Sequence, residues 1–295
     1  LFMTSKNPFE FPGISAYVKP GITVQDAAGT NFLLDVGMRA AGKFSDKFAG
    51  KLNISYLKGT DWAAANYDDK LFRDLTRNDP DYDGTNVYGD EVSTNIKAAS
   101  GGLGIIPNVN VSRTGYNEMD LTDYTAQTIK ADAGLYWRPM GDDLEVAFIA
   151  KYGYGTTIYQ GTNRYNISNF DLQQFKLEIR NNNFFVRGYM TEDDAGDSYD
   201  MVFTGININR KWKSDTQWFG QYIQTYAGAT LGGATDDQAH AAARAAADTG
   251  RWLPDSQEFK DAFKEVTSDS NLSTGSKFVD NSRIYHADAN YNFTH

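Results

Sequence analysis

DYTAQTIKADAGLYW (Asp123 to Trp137) alternates residue by residue. Ile129, Ala131, Ala133, Leu135 and Trp137 fall on one face, and Lys130, Asp132, Gly134 and Tyr136 on the other. Period two is the signature of a strand with two unlike faces, because successive side chains of an extended chain point to opposite sides. The pattern recurs outward from there. Residues 144–154 place Leu144, Val146, Phe148, Ala150, Tyr152 and Tyr154 opposite Glu145, Ala147, Ile149, Lys151 and Gly153. Residues 174–180 set Phe175, Leu177 and Ile179 against Gln174, Lys176, Glu178 and Arg180. Residues 283–293 set Tyr285, Ala287, Ala289, Tyr291 and Phe293 against His286, Asp288, Asn290 and Asn292. Weaker alternation over 14–24, 31–44, 47–58, 184–191, 199–212 and 216–227 brings the expectation to about ten strands.

The connections alternate too. Short polar turns are expected at Ser45-Asp46, Gly141-Asp142-Asp143, Asn181-Asn182-Asn183 and Lys213-Ser214-Asp215. Long links are expected at 59–122, 155–171, 192–198 and 228–281, and only the link at 25–30 is short where the scheme wants a long one. Short turns at one end and long loops at the other define an up-and-down antiparallel sheet of the outer-membrane barrel kind. Trp137, Tyr152, Tyr154, Trp212, Trp218 and Tyr226 then stand at strand ends, where interfacial aromatic girdles lie. A soluble sandwich or propeller is the competing reading. Two observations weigh against it: the small or aromatic residues of the apolar face, and the length of the links 59–122 and 228–281.

Composition narrows the function. The chain has 295 residues with 18 Tyr, 18 Phe and 5 Trp, a mix that favours strands and turns. The net charge of −10 disfavours nucleic-acid binding, which wants a basic face. With no cysteine, neither a disulfide nor a thiolate metal site can form. No apolar run is long enough for a transmembrane helix. A mean hydropathy of −0.53 still suits a barrel, in which only alternate strand residues meet lipid. The chain opens at Leu1-Phe2-Met3 without a signal peptide, so a barrel reading expects it to be part of a longer protein.

Several strings resemble TonB-dependent receptors of the Bacteroidota: KFAGKLNISYLKGTDW (Lys47 to Trp62), YDGTNVYGDEVST (Tyr82 to Thr94), VSRTGYNEMDLTDYTAQTIKADAGLYWRP (Val111 to Pro139) and TIYQGTNRYNISNF (Thr157 to Phe170). So do NFFVRGYMTEDDAGDSYDMVFTGININRKWKSDTQWF (Asn183 to Phe219) and AHAAARAAADTGR (Ala239 to Arg251). The opening LFMTSKNPFEFPGISAYVK resembles the last plug strand and first barrel strand of such receptors. The resemblance implies that residues 1–13 are the end of the plug and its linker, and 14–295 the N-terminal part of a larger transmembrane β-barrel. It implies energised uptake of a scarce nutrient (an iron chelate, a cofactor, a glycan or a peptide) in the bacterial outer membrane. The implied partners are outer-membrane lipid, the TonB complex through parts outside this chain, and a surface lipoprotein or other envelope protein. A structural or docking barrel within a larger envelope assembly is the alternative. A passive porin fits less well, because a plug blocks free diffusion.

No catalytic constellation stands out, so an enzyme is not expected. His240, His286 and His295 are scattered, and lone histidines usually satisfy local hydrogen bonds. The sharpest local motif is Asp79-Pro80-Asp81-Tyr82-Asp83-Gly84, followed by Asp90 and Glu91. Acids at alternate positions, a glycine turn and a later acid make Asp79, Asp81, Asp83 and Asp90 a candidate Ca²⁺ set. Pro80 and the lack of flanking helices speak against a true EF-hand, and an acidic loop with Asx turns is the plainer alternative. Glu192-Asp193-Asp194 with Asp197 is a weaker version of the same motif. Within 228–281 two helices are expected, over Asp236–Asp248 with Thr235 or Asp236 as cap, and over Ser256–Val266 with Phe259 and Phe263 on one face. They would cover the barrel mouth or form a lid or partner surface. The polar strand positions Lys130, Asp132, Lys151, Lys176, Glu178, Arg180, Arg187, Lys211, Asp288 and Asn290 face a lumen that, by the resemblance, a plug fills.

Overall fold

The computed structural model describes residues 5–293. Eight strands follow one another antiparallel across one sheet: β1 (Gly13–Gln25), β2 (Gly29–Lys43), β3 (Phe48–Thr60), and then, past a long link, β8 (Thr125–Trp137), β9 (Glu145–Gln160), β10 (Arg164–Arg180), β11 (Phe184–Asp194) and β13 (Arg283–Tyr291). The order across the sheet is the order along the chain, so the topology is up-and-down. Short turns at 44–47, 138–144 and 181–183 lie at one end. The links 26–28, 61–124, 161–163 and 195–282 lie at the other. The sheet is open: β1 and β13 are its outer strands.

Register holds the two faces apart across all eight strands. Leu52 pairs with Ala133, Leu135 with Phe148, Phe148 with Leu177, Ile179 with Val186 and Val186 with Ala289. All of these side chains share one face, since directly paired residues of an antiparallel ladder point the same way. That face is apolar and uncovered: Ile14 is 80% exposed, Phe32 63%, Leu135 61% and Leu177 51%. Phe48 and Trp137 stack at 6.1 Å at its short-turn end. At ~3.4 Å per residue and a ~40° tilt, the stretch from Ile14 to Val24 rises ~25 Å.

The opposite face is polar and is covered at its short-turn end by the residues preceding β1. Asn7 donates from Nδ2 to both oxygens of Glu145, at 3.0 and 2.8 Å. Lys51 donates to Ser5 Oγ at 2.6 Å. Phe9 packs with Ala49, Tyr136, Ala147 and Ile149, beneath the Arg138 guanidinium at 4.3 Å.

The expected strand set needs correcting. The expected strands 199–212 and 216–227 are helical, apart from the first two residues, 199–200. A two-residue β12 (Tyr199–Asp200), paired with β10, leads into α2 (Met201–Trp212), and α3 (Asp215–Leu231) follows. Val202, Ile206 and Ile208 gave α2 the look of a strand. Its buried residues Met201, Thr204, Gly205 and Ile208 instead repeat at helical spacing, and Asp200 caps the Val202 and Phe203 amides. Ser214 and Gln217 form a capping box at the head of α3. Trp212, Trp218 and Tyr226 therefore belong to no girdle, and Lys211 lies on a helix. The fold is mostly β, with 22% helix. The expected link 155–171 is also mostly strand, because β9 and β10 run on to a tight turn at 161–163.

The helices α4 (Asp236–Ala247) and α5 (Gln257–Ser268) form where the sequence places them, capped by Thr235 and Ser256. Phe259 and Phe263 do share a face, with ring centroids 6.3 Å apart. The two long links fold together into one cap. The first carries β4 (Val87–Tyr88), β5 (Ser93–Asn95), α1 (Ile96–Ala99), β6 (Asn110–Ser112) and β7 (Tyr116–Asn117). Its Ile96, Ile106 and Val111 bury against Trp218, Tyr222, Ala239 and Ala243 of α3 and α4. A second cluster joins Tyr88, Tyr116 and Leu121 to Met201, Ile208, Phe259 and Val266. Gly205 lets α2 lie flush on β4, where a methyl group would come within 2.4 Å of the Tyr88 carbonyl oxygen.

Candidate functional site

The acidic motif lies in the first half of the cap. Residues 66–70 run beside 83–86: the Lys70 amide donates to the Asp83 carbonyl at 2.8 Å and the Thr85 amide to that of Asp68 at 2.9 Å. This places the Lys70 side chain beside Asp83. After β4, Gly89 turns at φ +103° and brings Asp90 and Glu91 back towards the same point.

The structure divides the expected calcium set. Asp79 closes a local turn, accepting from the Thr76 amide at 2.7 Å and hydroxyl at 2.8 Å. Asp81 pairs with Arg73 at 2.5 Å. Asp83 and Asp90 do come together, and their third companion is Glu91: one oxygen of each lies within 4.8 Å of the others. Lys70 Nζ touches Asp83 at 2.8 Å and Glu91 at 2.9 Å. Asp90 is 1% exposed, and burial, followed by the charges of Glu91 and Asp83, pushes its carboxyl up to about 7. Burial likewise raises Glu91, against the pull of Lys70. The neighbouring Asp69 is different, since the Arg73 guanidinium holds it well below the usual carboxylate range. The Lys70 contact lies far back in sequence from Asp83 and has no local signature. Glu91 stands next to Asp90, and only the folded turn reveals which of the two faces Lys70.

The weaker acidic run does not converge. Glu192 pairs with Arg283, Asp193 accepts from the Ser282 amide, Asp194 from the Gly196 amide, and Asp197 from Asn169.

On the polar face of the sheet lies a cavity of about 700 Å³, whose lining includes Tyr17, Arg39, Asn53, Lys130, Asp132 and Lys151. The expected polar-face positions Lys130, Asp132, Lys151, Lys176, Glu178, Arg180, Arg187, Asp288 and Asn290 all lie on this side by register. Among them Lys176 pairs with Glu178 at 2.9 Å and Arg187 with Asp288 at 2.7 Å, and Asp132 accepts from Asn53 of the neighbouring strand at 2.6 Å.

A carboxylate that the sequence did not single out ties cap to sheet. Glu118 is fully buried and accepts from the Tyr88 and Tyr124 hydroxyls at 2.7 and 2.9 Å and from Arg164, at the start of β10, at 3.1 Å. Counting Asn86, four donors from three separate stretches of chain converge on it. These donors satisfy both oxygens of a carboxylate that water does not reach.

His240 is buried between α3 and α4. It shares a 2.8 Å hydrogen bond with the Tyr222 hydroxyl and lies 3.6 Å from Asp236, with Tyr226, Asp237 and Arg244 around it. Burial lowers its pKa despite Asp236. The unfolded chain therefore binds this proton more readily than the folded one. The associated stability is full above about pH 6.5 and is lost as pH falls below that value and through the lower folded pKa. The cap's melting temperature is expected to drop between about pH 7 and pH 5, with a shallower slope in His240→Gln. Equal slopes in the two proteins would show that other groups carry the acid response. His286 lies on the polar face and stacks on Tyr189 at 4.9 Å, while His295 lies outside the described residues.

Compared with protein-family profiles, curated proteins and solved structures, the chain matches none.

Proposed function

We propose that the eight-strand sheet is part of an outer-membrane β-barrel, and that the whole is a TonB-dependent receptor that takes up a scarce nutrient. The observation that carries the membrane reading is the uncovered apolar face, continuous in register through eight strands and about as tall as the ~25 Å apolar band of such barrels. A water-facing sheet of this extent would expose apolar surface far beyond the few hundred Å² tolerated on soluble proteins. In a bilayer the open edges of β1 and β13 need partner strands, since unpaired strand edges do not persist in hydrocarbon. The resemblance carries the receptor reading. In this arrangement residues 5–12 are the exit of the plug, lying on the lumen face against Glu145 and Lys51. The cap stands outside the cell at the barrel mouth, where it meets substrate or a surface lipoprotein.

The test is fractionation of the native protein, followed by mass spectrometry of its co-purifying chains and ligands. Recovery in the outer membrane with a small ligand bound is the expected result. A stoichiometric set of envelope proteins and no ligand would favour a docking barrel. Recovery in the soluble fraction alone would overturn the membrane reading.

A further inference from the structure

Most buried carboxylates of the cap have cations or donors for both oxygens. Asp69 is held by Arg73 through two bonds, and Glu118 by Arg164 and two tyrosines. Asp90 is the exception. Its side chain is buried, its Oδ2 accepts from the Gly84 amide at 2.9 Å, and its Oδ1 has no hydrogen-bond partner among the described residues. Gly115 leaves the room this oxygen needs, since a methyl group there would lie 3.0 Å from it. An unmatched buried carboxylate oxygen is costly. Beside it, Asp83 and Glu91 share the single ammonium of Lys70, so three carboxylates gather around one positive charge.

We infer that Asp83, Asp90 and Glu91 form a binding site for a divalent cation, Ca²⁺, with the Lys70 ammonium as its resident competitor. The donor set suits the ion: three carboxylates offer oxygens within 4.8 Å of one another, close enough to flank one Ca²⁺ at about 2.4 Å each, and the loose coordination geometry of Ca²⁺ tolerates an irregular set that the strict octahedron of Mg²⁺ does not. Lys70 is flexible and 30% exposed, so it can swing towards solvent as the ion enters. The ion would then join 66–70, 83–86 and the turn at Gly89, and so brace the first link of the cap. The site is independent of what the barrel transports.

The test is calorimetric titration of the purified full chain with CaCl₂, and in parallel with MgCl₂. One Ca²⁺ per chain is expected, with a dissociation constant of about 0.1–1 mM, the range of extracellular modules. Asp90→Asn should weaken binding by about tenfold or more, and Lys70→Met should tighten it by a similar factor and make the melting temperature rise with Ca²⁺. Lys70→Met keeps every carboxylate, so it serves even if Asp90→Asn does not fold. No Ca²⁺ binding at millimolar concentration by folded wild type and Lys70→Met would overturn the site. So would equal affinity for wild type and a folded Asp90→Asn.

Discussion

Trp218→Ala is expected to cost about 3–5 kcal/mol, as large aromatic truncations in cores do, and to loosen both long links at once. Trp218 has no exposed surface. It stacks on Tyr222 at 5.4 Å, meets Phe219 edge-on at 5.0 Å, and donates from its indole nitrogen to Asp248 at 2.9 Å. The guanidinium groups of Arg113 and Arg244 approach its ring at 5.8 and 5.9 Å. Arg113 belongs to the first link and Arg244 to the second, so the indole is shared. Removing it leaves a cavity among Ile96, Ile106 and Val111 as well as among the helices. Limited proteolysis of the variant should therefore cut within 61–124 as readily as within 195–282, while the strands stay protected. Cleavage confined to 195–282 would show that the links fold separately.

Leu52→Arg should cost about 2–4 kcal/mol in a lipid bilayer, the penalty for a cation near the midplane on the lipid face of a barrel. Leu52 stands midway along β3, paired with Ala40 and Ala133 on the apolar face. Asn53→Arg, one residue on, points to the polar face beside Asp132 and should change stability by about 1 kcal/mol or less. Urea unfolding in phospholipid vesicles compares the two. Equal effects would mean that both faces meet water, because a surface Arg in water is nearly neutral.

What could be read from the sequence was the part that repeats. Period two over 123–137 and 144–154 set strands, faces and turn order, because successive side chains of a strand point to opposite faces. The cap was legible only where capping chemistry is local, as at Thr235 and Ser256. Helices α2 and α3 passed for strands because Val202, Ile206 and Ile208 are β-branched, and because the aromatics of α3 resembled girdle residues. Their helical period becomes plain once Trp218, Tyr222 and Tyr226 are seen to bury together against the first link. That packing joins segments about a hundred residues apart, as Arg113 and Asp215 do. Local pattern carries no trace of it. The acidic motif was half legible for the same reason: Asp83, Asp90 and Glu91 are neighbours in sequence, but Lys70 and Arg73, which divide the acids between them, arrive by folding.

The chain lacks cysteine, so single cysteines can be placed one at a time through 128–135 and spin-labelled without background. In reconstituted bilayers, labels at 129, 131, 133 and 135 should be accessible to oxygen dissolved in lipid and shielded from a water-soluble paramagnetic reagent. Labels at 128, 130, 132 and 134 should show the reverse. Period-two alternation of that sign is what a lipid-facing sheet requires. Access of the aqueous reagent to the odd positions would contradict it.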